Sequence, residues 1–130
     1  MPRSATRRPQ SLVIGDTGRI VARHVETAVS LWQRVFGLMG RRELPAGHGL
    51  LIERCGTVHT AFMRFRIDVV FCTQRLRVLH IAHSVPPFRI RGPVWRARCV
   101  VELPAGTCHE VGLKEDHRLK LRPLREPSEP

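Results

Sequence analysis

Short apolar runs separated by turn-forming residues dominate the hydrophobic pattern of this chain. Four runs are rich in branched residues and have strand length: GLLIE at 49–53, IDVVFC at 67–72, VLHIAHSV at 78–85 and RCVVEL at 98–103. Earlier in the chain, SLVI, GDTG and RIVARHV read as strand, turn and strand, because glycine and aspartate favour chain reversal. The pattern therefore predicts a β-rich domain that opens with a hairpin.

One segment has helical periodicity instead. With Thr27 as N-cap, apolar residues recur at spacings of three and four as far as Leu38. A helix of about three turns is marginal in water, so its apolar face is expected to cover the sheet. Near the end of the chain, TCHEVGL at 107–113 predicts a short helical turn, and HRLKL at 117–121 an edge strand.

The predicted fold is mainly β (α+β): a small twisted β-sheet or barrel-like domain with one covering helix and a short helical turn. A length of 130 residues fits one domain. Residues 1–10 and 123–130 are rich in proline and charge and are predicted to be flexible tails, which leaves 11–122 as the domain. TQRLR reads as a hairpin turn, and PPFRIRGP at 86–93 as a surface loop, because proline has no amide donor.

The charge balance is strongly basic, with 22 lysines and arginines against 11 acids and a net charge of +11. Between Ala61 and Val100 there are eight arginines and one acid, Asp68. Such a field attracts nucleic acid and other anions. Arginine outnumbers lysine 20 to 2 over the whole chain, however, so a chain-wide preference for arginine explains the charge equally well.

Targeting and redox signals are sparse. No apolar run approaches the ~20 residues that span a bilayer, and the first residues lack the apolar stretch of a secretory signal, which predicts a cytoplasmic protein. The four cysteines form no CxxC pair, a usage typical of reduced, buried thiols.

Three ordered segments resemble the domain-of-unknown-function 192 family: GLMGRRELPAGHGLL at 37–51, VHTAFMRFRIDVVF at 58–71 and VVELPAGTCHEVGL at 100–113. The resemblance covers roughly residues 11–121. It implies a compact, mostly β domain of bacteria and archaea, often exported, with no established biochemical role. Two positions depart from the family pattern: Arg66 replaces a usual proline, and Glu115-Asp116 replaces Gly-Asp in the last turn. If that turn needs a positive φ at Glu115, the glutamate is strained.

The stretch HTAFMRFRIDVVF at 59–71 carries the most suggestive polar residues. Asp68 stands in an apolar strand and needs donors, which Arg42, Arg64, Arg66 or backbone amides can supply. The structural interpretation is an aspartate that fixes the entry of the strand, and the functional one is an acid or base. Cys55 and His59 would lie ~13 Å apart on an extended strand, too far for one ion. His80 and His83 would point to opposite faces of one strand, and the neighbours Cys108 and His109 would diverge. Only long-range pairing could then build a metal site, and neither a metal nor a cofactor is predicted.

The leading functional hypothesis is a non-enzymatic binding or accessory domain for a small ligand or peptide. Its candidate residues are His59, Thr60, Met63, Arg64 and Asp68. Two alternatives stay open. The first is binding of nucleic acid or another anion through Arg41, Arg42, Arg66, Arg89 and Arg91. The second is an enzyme that uses His59 and Asp68 as acid and base, although no nucleophile motif such as GxSxG accompanies them.

Overall fold

The computed structural model describes residues 6–28, 44–60 and 63–124. In these ranges the strands are β1 (Thr6–Ile14), β2 (Ile20–Ala28), β3 (His48–Glu53), β4 (Val58–His59), β5 (Ile67–Cys72), β6 (Val78–Val85), β7 (Ile90–Arg91), β8 (Cys99–Pro104) and β9 (Leu119–Pro123). A short helix, α1 (Thr107–Val111), lies between β8 and β9. The mainly β prediction and the short helical turn are confirmed.

Seven strands form one mixed sheet in the order β6-β5-β8-β3-β2-β1-β9. Its neighbouring strands are antiparallel except β2 and β3, which are parallel. The barrel-like form of the prediction is wrong, because the sheet is open. The edge strands β6 and β9 approach each other only at one end, through an isolated bridge between Arg77 and Arg118. A closed barrel needs continuous pairing between its first and last strands.

Strand β5 is buried on both faces, which explains its unbroken apolar run. Val70 and Cys72 point into one hydrophobic cluster, together with residues of β1, β2, β8 and α1. Ile67, Val69 and Phe71 point into a second cluster on the opposite face. The second cluster also contains Val58 and Met63. Strand β5 therefore separates the residues that pack on one of its faces from those that pack on the other.

Two predicted turns form as expected. The β1–β2 hairpin turns at Gly18, whose φ is +73°. The β5–β6 hairpin closes when the Thr73 N–H donates to the Arg77 carbonyl at 2.9 Å. In the turn before β9, the positive φ of 73° falls on Asp116, so the expected strain at Glu115 is not observed. Aspartate visits this region more readily than glutamate does.

Three boundaries differ from the prediction. Thr27 is not an N-cap, because it lies inside β2 and pairs with Leu51 of β3. The remainder of the predicted covering helix lies outside the described residues. Strand β1 begins at Thr6 and β9 runs to Pro123, so strand pairing extends into both segments that the composition marks as tails. None of the described helices is long and apolar enough to cross a membrane.

Candidate functional site

Asp68 is fully buried on β5, and its carboxylate is held by backbone amides. The Ser84 N–H donates to Oδ1 and the Cys108 N–H donates to Oδ2, each at 2.9 Å. Opposite Asp68, strand β6 bulges, so that His83 and Ser84 face one residue, and Ser84 has a φ of 48°. Asp68 therefore joins β5, the bulge of β6 and the first turn of α1.

This arrangement settles one alternative that the sequence left open, since backbone amides serve as the donors to Asp68. Arg66 contacts Ser84 instead of Asp68: its Nη1 donates to the Ser84 carbonyl at 3.1 Å. Arg64 is exposed to solvent, and Arg42 lies outside the described residues. The geometry gives Asp68 an architectural role, because both of its oxygens are already engaged.

The cysteines near Asp68 are poor nucleophiles. Burial raises the pKa of the Cys108 thiol, and the charge and hydrogen bond of Asp68 raise it further. Burial, followed by the proximity of Cys99, raises the pKa of Cys72 to about 12. Burial, followed by the charge of Glu53, also raises the pKa of Cys99. A thiol must ionise to react, so these three are structural, and all four cysteines are reduced, as predicted.

His59 and Thr60 lie elsewhere: His59 belongs to a separate two-stranded sheet formed by β4 and β7, and Thr60 directly follows β4. His59 is exposed and pairs with Ile90. Thr60 is buried and anchors the segment that follows β6: its hydroxyl donates to the Pro86 carbonyl at 2.6 Å and accepts the Arg89 N–H at 2.9 Å. The proline-rich stretch that was predicted as a loop thus contains a short strand that Thr60 fixes in place.

Large apolar side chains in and beside this small sheet are exposed to solvent: Ile90 belongs to β7, Phe88 precedes β7 and Trp95 follows it along the chain. Phe88 is 70% exposed, Ile90 68% and Trp95 86%. Arginines alternate with them along the chain. We define the β4–β7 platform as His59, Phe88, Arg89, Ile90, Arg91 and Trp95. Exposed aromatic and aliphatic side chains of this size normally mark a contact surface when they cluster.

The guanidinium groups of the platform are only partly engaged. Arg89 Nη1 donates to the Phe88 carbonyl at 3.1 Å, and Arg91 Nη1 donates to the Ile90 carbonyl at 2.9 Å. A guanidinium carries five N–H donors, so each retains donors for a ligand. Arg89 is exposed and Arg91 is half-buried. Each hydrogen bond holds its guanidinium group near the backbone of the preceding residue.

The predicted ligand residues do not form a single site. His59 and Thr60 meet two of the predicted anion-binding residues, Arg89 and Arg91, at the β4–β7 platform. Met63 is buried in the second hydrophobic cluster. Asp68 shares the face of β5 that points into the first cluster, so β5 separates it from the segment around Val58 and Met63. The acid–base pair of His59 and Asp68 is therefore not assembled. Arg41 and Arg42 lie outside the described residues.

A second cluster joins residues that the sequence showed only separately. The rings of His83 and His109 stack with their centroids 4.2 Å apart and their planes inclined by 21°. They border a cavity of about 510 Å³. Periodicity cannot reveal this pair, because a strand bulge and a distant helix bring it together. Among the residues the structure describes, no group of three or more His, Cys, Asp or Glu side chains has the geometry of a metal site.

Comparison with known proteins identifies the family. The family model DUF192, described as an uncharacterised ACR, matches residues 12–121. A search of the curated proteins finds no significant match. Among solved structures, a proposed transcription regulator from Sinorhizobium meliloti 1021 has a TM-score of 0.75 and 27% identity, covering 90% of this chain and 94% of that one. A protein of unknown function from Novosphingobium aromaticivorans DSM 12444 has a TM-score of 0.73 and 23% identity, covering 86% and 83% respectively.

Proposed function

Since the chain belongs to the DUF192 family, whose description assigns no activity, we propose a function from the composition of its surface: a non-enzymatic domain that binds single-stranded nucleic acid on the β4–β7 platform. The observation that carries the proposal is the exposure of Phe88, Ile90 and Trp95 between arginines. Bases stack on exposed aromatic side chains, and guanidinium groups pair with the phosphates between them.

The chemistry of the platform favours an anionic polymer with flat apolar groups. Apolar side chains alone would suit a protein partner, and arginines alone would suit any anion. Between Phe88 and Arg91, two apolar residues alternate with two arginines, so one short segment carries both kinds of group. The net charge of +11 adds a long-range attraction toward polyanions.

The absence of an assembled acid–base pair also favours binding over catalysis. Asp68 is occupied by two backbone amides, and Thr60 is used to anchor the platform. The Sinorhizobium protein, at 27% identity, is described as a proposed transcription regulator. That description is consistent with a nucleic-acid ligand for this chain.

The proposal is tested by fluorescence anisotropy with labelled single-stranded oligonucleotides of mixed sequence. The wild-type chain should bind, and affinity should fall steeply as salt is added. Trp95→Ala should weaken binding by about 1–3 kcal/mol if a base stacks on the indole. Arg89→Ala combined with Arg91→Ala should weaken binding and reduce the slope of affinity against salt by about one for each phosphate that the variant no longer binds.

A charge-matched control separates the platform from the general basic charge. Lys120→Ala combined with Arg122→Ala removes the same charge from exposed positions on the edge strand β9. This control should affect binding much less than the platform variant. Equal losses of affinity would show that only net charge matters, and absent or salt-independent binding would refute the proposal. Preferential binding of an acidic peptide over the oligonucleotide would assign the platform to a peptide partner instead.

A further inference from the structure

The stacked histidines lie on two backbone segments that the buried Asp68 connects. His83 precedes Ser84 in the bulge of β6, and His109 follows Cys108 in α1. Asp68 binds the backbone N–H groups of Ser84 and Cys108, both at 2.9 Å. The buried carboxylate thereby fixes the two backbones from which the rings project. The stacked rings, whose centroids are 4.2 Å apart, project from these two connected backbone segments.

The ring nitrogens of the pair are available to a ligand. Both side chains are exposed, and among the described residues the rings form no hydrogen bond or ion pair and stack only on each other. With planes inclined by only 21°, one N–H from each ring can point to the same side. Parallel donors suit a ligand with several acceptor oxygens. A metal ion instead needs lone pairs that converge on one point, which near-parallel rings do not provide.

Acidic and basic groups both surround the pair. Around it lie Asp68 from β5, His80 from β6, Cys108 and Glu110 from α1, and Lys114 and Glu115 after α1. Two arginines also reach these elements, because Arg66 Nη1 donates to the Ser84 carbonyl at 3.1 Å and Arg19 Nη2 to the Glu110 carbonyl at 3.5 Å. Asp68 is buried with both oxygens engaged, and Glu115 Oε2 lies 4.0 Å from His80 Nδ1. Lys114 lines the same cavity of about 510 Å³ as both imidazoles.

We propose that His83 and His109, with Lys114 beside them, form a binding site for a small oxyanion of the phosphate or sulfate class. Histidine changes its charge between about pH 5 and 8. Two imidazolium rings whose centroids are 4.2 Å apart repel each other, and an oxyanion bound by both N–H groups offsets that repulsion. Binding is therefore coupled to proton uptake and strengthens as the pH falls.

Sulfate is the most informative probe, because its own charge stays constant over this pH range whereas that of phosphate changes. Isothermal titration of the intact chain with sulfate should show binding that is at least about tenfold tighter near pH 5.5 than near pH 8. Imidazole signals of both histidines should shift in NMR spectra of the wild-type protein. His83→Gln and His109→Gln should each abolish binding near pH 5.5, because each replaces an imidazole that can become positively charged with a neutral amide.

A second histidine pair among the described residues provides a matched control. His24 and His48 have centroids 4.7 Å apart and planes inclined by 33°, and they lie on the neighbouring strands β2 and β3. Their replacement by glutamine should leave sulfate affinity unchanged. The melting temperature without sulfate verifies that each variant is folded, and the imidazole shifts of the wild type report on the site without any variant.

Further ligands distinguish the source of the oxyanion. Equal affinities for sulfate, inorganic phosphate and a mononucleotide would indicate a free oxyanion. A mononucleotide that binds at least about tenfold tighter would indicate a phosphate group on a larger ligand. Sulfate binding that survives both glutamine variants, or that is equal at both pH values, would overturn the proposal. Tight zinc binding that disappears in both variants, without any sulfate binding, would also overturn it.

Discussion

At the scale of single residues, Asp68 is the buried side chain that connects the backbones of β5, β6 and α1. We predict that Asp68→Asn lowers the free energy of unfolding by about 1–3 kcal/mol. An amide group has one acceptor oxygen, so whichever way it turns, the N–H of Ser84 or of Cys108 faces another donor. Urea unfolding at neutral pH measures the loss of stability.

The same substitution at a surface aspartate is the control. Asp116 is also paired, with Arg77 Nη2 at 3.1 Å, but its side chain is 76% exposed. Asp116→Asn should change stability by less than about 1 kcal/mol, because exposed ion pairs contribute little. If the two variants had equal stability, Asp68 would not have the architectural role assigned to it.

The sequence predicts that Asp68 requires hydrogen-bond donors, but it does not predict which groups are the donors. An aspartate between Ile67 and Val69 in an apolar run must find donors, and that conclusion follows from burial alone. Neighbouring arginines and backbone amides can both donate to a carboxylate, so the sequence does not distinguish between these two kinds of donor. The amides of Ser84 and Cys108 are the donors because the bulge and α1 bring them close, and both features are long-range.

At the scale of elements, the β4–β7 platform depends on a close approach at Gly92. Its φ is +99°, and an added Cβ would lie 2.5 Å from the Gly56 carbonyl oxygen and 3.1 Å from the Thr57 Cα. We predict that Gly92→Ala forces the segment of β7 away from β4. The cost should be roughly 1–3 kcal/mol for the clash, in addition to about 1–2 kcal/mol for the left-handed backbone.

Gly106 isolates the two contributions. Its φ is +93°, nearly that of Gly92, but an added Cβ would meet no atom within 4 Å. Gly106→Ala should therefore show only the backbone cost, and urea unfolding of the two variants gives the difference. Gly92→Ala should also weaken oligonucleotide binding more than Gly106→Ala does. Equal effects of the two substitutions would contradict the close packing of the platform.

Strands could be predicted where the pattern of their own residues is sufficient to identify them. β5 and β6 have the predicted limits, because a run of branched residues between turn-formers has one reasonable interpretation. β4 and β7 are two residues long and exist only through pairing with each other, so neither has a local signal. The open edge of the sheet is also a long-range property, since composition does not distinguish a nearly closed sheet from a barrel.

At the scale of the whole molecule, the buried thiols link stability to alkaline pH. Burial raises the pKa of Cys72 from 9.0 to about 12, and that of Cys108 is also raised. Above pH 9.0, thiols of the unfolded chain lose protons that the folded chain retains. The unfolded state is then favoured, so the free energy of unfolding should fall by about 1.4 kcal/mol per pH unit for each such thiol. The stabilising contribution is complete below pH 9.0 and, for Cys72, lost as the pH approaches about 12.

The composition of the chain allows this dependence of stability on pH to be attributed to the cysteines. The chain has no tyrosine, only two lysines, and twenty arginines that keep their charge throughout the range. Urea unfolding under reducing conditions at pH values above 9.0 should therefore give a slope set mainly by cysteine. Cys72→Ala combined with Cys108→Ala should be less stable at neutral pH, because it leaves cavities, yet it should lose most of the alkaline slope. An unchanged slope in this variant would mean that the thiols of Cys72 and Cys108 ionise as readily in the folded protein as in the unfolded chain. The two-faced burial of β5 would then give the Cys72 thiol no protection from solvent.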